Sequence, residues 1–319
     1  MNAAIKTMIS LLLCLCVAAV FLTGCSKQEN QGEEIQNYSE LTQTESFPVK
    51  MELDEEYIIQ TKPRRLVVLS ADLVQALEDI GAASLISGVS ADAPKDAAVS
   101  GAKVCGTALD ADIEQIVQAN PDWVLVSSQM RKSQKEELKS QNIEVITFSR
   151  PNDLEEIQER YRQLFTLCYG LDGNKKAEDF LKNYREKLDA ILKPAAEYAR
   201  LGQSKSAIYL AKPDYTMATG ETFEGRLLSQ MGLRNIGDFG SRWNYPEEEL
   251  EQLDPDIIFY DETLSPESIS QSEIYANSQA VRSNALVAVD FSAVRLQGMP
   301  MLEEISKMAQ AAYPQAYGK

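Results

Sequence analysis

From about residue 65 onward the apolar positions alternate between short runs and helical stripes. Arg65-Leu-Val-Val-Leu-Ser70 is a short apolar run that predicts a buried strand. Leu73, Leu77 and Ile80, spaced for one helix face, predict a helix with Asp72 placed as its N-cap and Gly81 at its end. The same alternation continues. Leu85 to Val89, Val104 to Gly106, Trp123 to Ser127 and Glu144 to Phe148 predict strands, separated by helices near 112–119, 132–141 and 152–168. Strand and helix in regular alternation imply a parallel sheet with helices on both faces.

A second series begins at Lys205-Ser-Ala-Ile-Tyr-Leu210, with strands at Ile257 to Tyr260 and Leu286 to Asp290 and helices over Phe223 to Met231, Pro246 to Leu253 and Met299 to Ala312. Between the series, Ala177, Phe180, Tyr184, Leu188 and Ile191 recur at three- and four-residue steps. This predicts one long amphipathic helix from Asn174 to about Arg200, which Pro194 is expected to end or kink. The fold class is therefore α/β: two Rossmann-like lobes with parallel sheets, over 47–170 and 204–319, joined by a single long α-helix over 171–203. One helical crossing permits small tilts more readily than wide hinge closure.

A phrase written twice supports two related lobes. Glu114-Gln-Ile-Val-Gln-Ala-Asn-Pro121-Asp122-Trp-Val-Leu and Glu248-Glu-Leu-Glu-Gln-Leu-Asp-Pro255-Asp256-Ile-Ile-Phe carry Glu, Gln, Pro and Asp at the same offsets. In each copy Pro stops a short helix and an apolar run follows, so each reads as one helix-turn-strand unit of a duplicated architecture.

The first residues are a different object. Lys6 and the amino terminus are cationic, Ile9 to Phe21 form an apolar run interrupted only by Ser10, and Leu22-Thr23-Gly24-Cys25 closes the segment. A transmembrane helix needs about 20 apolar residues, so this shorter run reads as an export signal over 1–24. Residues 25–46 are polar with almost no apolar side chain, the composition of a disordered tether.

Composition narrows the function. The formal net charge is −17, and removal of Lys6 with the leader takes the mature chain near −17 − 1 = −18. Nucleic acid and anionic lipid both demand basic patches, so neither is an expected ligand. The chain has no histidine, and no cysteine or carboxylate cluster has ligand spacing, which argues against direct capture of bare zinc or manganese. No Gly-x-Gly-x-x-Gly, P-loop or catalytic histidine is present, so no enzyme is expected. Beyond Cys25 only Cys105 and Cys168 remain, and whether they pair is open from sequence.

Leu22-Thr-Gly-Cys25 resembles the bacterial lipobox, which implies that Cys25 becomes the lipid-modified first residue of a chain anchored to the extracytoplasmic face of the membrane. Leader, tether, two α/β lobes and connecting helix together resemble the solute-binding lipoproteins of ABC importers, and more closely the iron-siderophore and vitamin B12 binding family. The likeness is carried by Pro63 to Ser70, Ile86-Ser-Gly-Val-Ser90, Asp112 to Asp122, Gly220-Glu-Thr-Phe-Glu-Gly-Arg-Leu-Leu228 and Leu250 to Ile258, and covers roughly Phe47 to Tyr313.

That resemblance implies a monomer with a ligand cleft between the lobes, formed by loops at the carboxyl ends of strands. It carries over Ser70, Asp72, Thr107, Ser128, Gln129 and Arg150 from the first lobe. From the second it carries over Lys212, Tyr215, Thr222, Phe223, Trp243, Tyr260, Phe291 and Arg295. Local roles stay open for several: Ser70 and Asp72 are equally placed to cap the following helix, and Trp243 and Phe291 to fill a core. The resemblance also implies that Glu114 and Glu248, the latter flanked by Glu247 and Glu249, dock on arginines of a membrane permease served by separate cytoplasmic ATPase subunits. No cofactor is expected, since the ligand would be a pre-formed metal chelate. Arg150, Lys212 and Arg295 lean towards a ferric siderophore. The aromatic residues keep a corrinoid open, and the thirteen tyrosines keep tyrosine-ligated haem open.

Overall fold

The computed structural model describes residues 46–94, 99 and 101–318. The export signal, Cys25 and the tether up to residue 45 lie outside the described residues. Ser46 belongs to the folded part: its carbonyl accepts the Leu171 N–H and its hydroxyl donates to Asp172.

The folded chain opens with an antiparallel hairpin that the alternation of parallel units did not include. In β1 (Val49–Glu52) and β2 (Glu56–Ile59), Val49, Met51, Tyr57 and Ile59 point inward while Lys50 bridges Glu52 and Glu56 on the wet face. The first lobe follows: β3 (Leu66–Val68), α1 (Ala71–Asp79), β4 (Ile86–Val89), β5 (Lys103–Val104), α2 (Ile113–Ala119), β6 (Trp123–Val126), α3 (Lys132–Ser140) and β7 (Glu144–Thr147). Its sheet is parallel, in the order β5-β4-β3-β6-β7.

Two helices lead out of it. α4 (Leu154–Tyr169) starts at Asp153, whose carboxylate accepts the Glu155 and Glu156 N–H groups, and a 3-10 turn over Gly170–Asp172 passes the chain to α5 (Gly173–Tyr198). At 26 residues α5 is about 39 Å long. Of the two effects expected at Pro194, an end or a kink, the helix does not end there: it runs on to Tyr198, close to the expected limit. Proline removes one ladder bond, but Leu181, Tyr184, Leu188, Ala195 and Ala199 stay buried in the central core on both sides of it, so tertiary packing outweighs the local defect.

The second lobe contains β8 (Ser206–Leu210), α6 (Phe223–Gln230), β9 (Arg234–Asn235), β10 (Ile257–Asp261), α7 (Pro266–Ser270), α8 (Gln279–Arg282), β11 (Leu286–Val289), α9 (Phe291–Leu296) and α10 (Met299–Ala312). Its parallel sheet has the order β11-β10-β8-β9, matching β7-β6-β3-β4 of the first lobe. The repeated Pro-Asp explains itself in this frame. Asp122 accepts the Arg64 and Arg65 N–H groups at 2.5 and 2.8 Å, and Asp256 accepts the Ser206 N–H and hydroxyl, both at 2.7 Å. Each repeat thus clamps the start of the first strand of its own lobe.

One expected helix differs. Residues Glu247–Gln252 form a 3-10 helix, with Glu249 N–H bonded to Pro246 O and Leu253 N–H to Leu250 O, both at 3.1 Å. Leu250, partly buried, and Leu253, the buried extended residue that ends the segment, both pack on the outer cluster of the second lobe, and the tighter 3-10 coil brings these positions, three apart, to one side.

The lobes are fused as well as linked. One apolar core runs from Leu66, Leu73 and Phe148 through Tyr161 and Tyr184 to Tyr209, Phe259 and Met301. Across it, Arg295 to Met299 of the second lobe is tied to the first. Fully buried Gln297 donates to Pro151 O at 2.8 Å, and its own carbonyl accepts Arg160 at 3.1 Å. Met299 N–H reaches Asp79 at 2.9 Å, and Tyr161 donates to the same carboxylate. Arg160, 2% exposed, pairs with Asp72 at 2.7 Å.

Candidate functional site

In both sheets the chain direction of assembly reverses beside the first strand of the lobe, between β3 and β6 and between β8 and β10. Loops leaving neighbouring strands there diverge and open a crevice at the carboxyl ends. Two cavities occupy that region. One, of about 560 Å³, is lined chiefly by first-lobe loops, including Ser70, Asp72, Asp92, Thr107, Leu109, Ser127 and Ser128. The other, of about 660 Å³, is lined by Ala211, Thr216, Glu221, Thr222, Phe223, Glu224, Trp243, Asp261 and Phe291. Arg150, Ser292 and Arg295 line both, so the cavities meet at two guanidinium groups.

The first-lobe wall is a web of committed hydroxyls. Ser70 does not cap α1 through its side chain; its oxygen accepts the Ser127 N–H at 2.7 Å and ties the loop after β3 to the loop after β6. Asp72 accepts the Ser127 hydroxyl at 2.8 Å and the Arg160 guanidinium on its other oxygen. Burial lowers the pKa of Arg160 from its ordinary value, and the Asp72 carboxylate beside it opposes that shift. Thr107 accepts the Asp110 N–H at 3.2 Å. Thr222 is the N-cap of α6, accepting the Gly225 N–H at 3.0 Å and donating to Thr219 O.

The arginines are placed differently. Arg150, just past β7, donates to the Arg295 carbonyl at 2.8 Å, so a first-lobe cation is fixed by the second lobe. Both residues are solvent-exposed, and among the described residues neither has a carboxylate within ion-pair distance. Their donors face the open cleft.

The second-lobe wall is aromatic and acidic. Phe291 stacks on Tyr209 with ring centroids 3.9 Å apart, and Trp243 meets the same tyrosine edge-on at 6.2 Å. Trp243 and Arg242 form a two-residue turn, Ser241 and Asn244 exchanging backbone hydrogen bonds, with φ of 65° and 51°. Left-handed angles at two such residues cost on the order of 1–3 kcal/mol each, and the turn delivers the indole to the cleft. Glu224, 7% exposed, lines the cavity; burial pushes its carboxyl up, while its own N–H and then Arg150 and Arg295 pull it down.

Of the residues singled out from sequence, the cleft thus brings together Ser70, Asp72, Thr107, Ser128, Arg150, Thr222, Phe223, Trp243, Phe291 and Arg295. Four lie elsewhere. Tyr260 sits on the outer face of β10 with Ile208, Leu210 and Tyr275, because strand alternation turns Phe259 towards the central core and its neighbour away. Tyr215 packs against that outer cluster, and Lys212 and Gln129 are exposed and line neither cavity. Asp92, Ser127, Glu224, Asp261 and Ser292 line the cleft without having been singled out. Glu224 directly follows Phe223 at the start of α6, which was the one available signal.

Glu114 and Glu248 are both exposed, in the first turns of α2 and of the 3-10 helix at Glu247–Gln252. Gln118 donates to Glu114 at 3.1 Å, whereas the corresponding Gln252 donates to Glu249 at 2.9 Å. Cys105 and Cys168 are free, buried in different clusters, with thiols pushed up by burial to about 11 and about 12. Among the described residues no helix is long and apolar enough to cross a membrane, and no group of three or more His, Cys, Asp or Glu is placed to hold a metal ion.

Two parallel α/β lobes on one connecting helix, with a cleft at the carboxyl ends of both sheets, define a two-lobed binding protein. A sequence profile of the family described as periplasmic binding protein matches residues 66–293, and the chain belongs to that family, one of solute-binding transport proteins and not of enzymes. The chain is 21% identical over 308 residues to the uncharacterized ABC transporter substrate-binding lipoprotein YvrC of Bacillus subtilis, covering 95% of this chain and 96% of that one. It is 24% identical over 271 residues to a cobalamin-binding protein of Halobacterium salinarum, covering 79% and 70%. In fold it is similar to a possible iron-binding periplasmic solute-binding protein of Staphylococcus epidermidis, with a TM-score of 0.66, 21% identity and coverage of 79% and 100%.

Proposed function

We propose that this chain is the extracytoplasmic, lipid-anchored binding protein of an ABC importer and that its cargo is a pre-formed iron chelate of the ferric siderophore type. The observation that carries the cargo is the meeting of two cavities at Arg150 and Arg295, two guanidinium groups without an ion-pair partner among the described residues. Guanidinium forks bind oxyanions with charge-assisted hydrogen bonds, and the oxygen-rich coordination sphere of a ferric chelate offers such acceptors. Trp243, Phe223 and Phe291 give it a flat apolar wall. A corrinoid is the second reading, favoured by that wall and by the likeness to a cobalamin-binding protein. Tyrosine-ligated haem is less favoured, because neither cavity has a tyrosine in its lining.

Delivery would follow docking of Glu114 and Glu248 on a permease, one glutamate from each lobe, with ATP hydrolysed on separate subunits. Titration of the purified protein by tryptophan fluorescence tests the cargo, since Trp243 lines the cleft and the second of the chain's two tryptophans, Trp123, packs against the core. Saturable quenching at micromolar or lower concentration by a ferric siderophore, absent with cobalamin and haem, supports the reading. Saturation by cobalamin alone replaces it with the second, and no saturation by any of them removes the cargo assignment.

A further inference from the structure

We infer that the second-lobe half of the cleft receives a cationic amine carried by the cargo, held by the Glu224 carboxylate against the rings of Trp243 and Phe291. The inference rests on the reading above that the cleft binds a metal chelate. Glu224 lies in the first turn of α6, lines the 660 Å³ cavity and is 7% exposed. Among the described residues its only hydrogen bond is from its own backbone N–H. A buried carboxylate without an external donor is costly to maintain, and a donor arriving with a ligand removes that penalty.

The other carboxylates of this cavity are engaged. Glu221 accepts the Arg242 N–H, and Asp261 accepts the Thr263 N–H at 2.9 Å and its hydroxyl at 2.7 Å. Arg150 and Arg295 act on Glu224 electrostatically but form no ion pair with it, and both remain solvated where the two cavities meet. The cavity therefore combines three carboxylates, one of them without a donor from any other described residue, with the faces of two aromatic rings. That combination favours an ammonium over a neutral donor, because both the carboxylates and the ring quadrupoles attract positive charge. The cargo so defined is dipolar: an oxyanion-rich chelate head at the arginines and an amine arm in the second lobe, which also fixes its orientation.

The test compares ferric desferrioxamine B, which ends in an ammonium group, with its N-acetyl derivative, which is neutral at that end. Affinities are measured by tryptophan quenching for wild type and Glu224→Gln, with thermal unfolding as a check on folding. The wild type is expected to prefer the ammonium form by about tenfold or more. The preference should shrink to within about twofold in Glu224→Gln, with affinity for the acetylated form retained. Equal wild-type affinities, or a preference that survives Glu224→Gln, overturns the inference, and the wild-type comparison stands even if the variant does not fold. Binding of ferric citrate, a ferric tricatecholate or cobalamin with neither ferrioxamine bound overturns the amine arm alone; binding of no chelate at all overturns the chelate reading as well.

Discussion

At the residue scale, the cleft divides its polar groups into those already engaged and those held ready. Ser70, Asp72, Thr107 and Thr222 hold the loops together, and Arg150, Arg295 and Glu224 face the space between the lobes. Readiness at Glu224 carries a stability penalty whose sign follows from its pKa. Burial raises the folded-state value above the unfolded one, which is about 4.3. The stability linked to this group is therefore complete below that unfolded value and is lost as pH rises through the folded one. Glu224→Gln, which does not ionise, should raise the thermal midpoint of the ligand-free protein at pH 7 and leave it nearly unchanged at pH 4; a lower midpoint at pH 7 would contradict the assignment. The charged candidates were legible as residue types past strand ends. Lys212 and Tyr260 show the limit: which side of a strand or turn a side chain takes depends on register, and one residue reverses it.

At the element scale, the two Pro-Asp phrases were legible because they do the same mechanical work, joining strand starts in β3 and β6 and in β8 and β10. The hairpin β1–β2 was equally written in its inside-outside alternation, but its antiparallel pairing has no place in a series of parallel units. The span of the helix through Pro194 was legible in its apolar stripe, but its continuation past the proline and the 3-10 form of Glu247–Gln252 were not, since burial of partners distant in sequence decides both. Helix α6 presents Thr222, Phe223 and Glu224 to the cleft only because it approaches very closely. A Cβ on Gly225 would stand 2.1 Å from the Thr219 carbonyl oxygen and 2.9 Å from Asn235. Gly225→Ala should therefore lose about 1–3 kcal/mol of stability in denaturant unfolding, with weakened ligand binding; unchanged unfolding would show that α6 can withdraw at no cost. The exposed glutamates of α2 and of the 3-10 helix make a separate prediction. Glu114→Arg with Glu248→Arg should abolish uptake by cells while leaving binding by the purified protein intact, and uptake that persists would remove the docking assignment.

At the scale of the whole molecule, the lobes share a core and are tied through Gln297, Met299 and the Arg160–Asp72 pair. The single crossing helix was legible in the spacing of Ala177 to Ile191. The weld was not, because Gln297, fully buried with φ of 52°, belongs to no periodic pattern. Asp72→Ala leaves Arg160 buried and uncompensated and should destabilise by about 3–5 kcal/mol. The double replacement Asp72→Ala with Arg160→Met should recover part of that loss in urea unfolding, and a double variant as unstable as the single one would argue against an unpaired charge as the cause. Across this same seam Arg150 owes its position to a second-lobe carbonyl. The most direct test is isothermal titration of wild type and of Arg150→Ala with Arg295→Ala against the chelate that quenches best. Two charge-assisted contacts of about 1.5–3 kcal/mol each predict an affinity loss of about 100-fold or more, with cooperative thermal unfolding retained and only the Arg150 contact to the second lobe lost. A double variant that binds as the wild type does would show that the cargo does not sit where the two cavities meet.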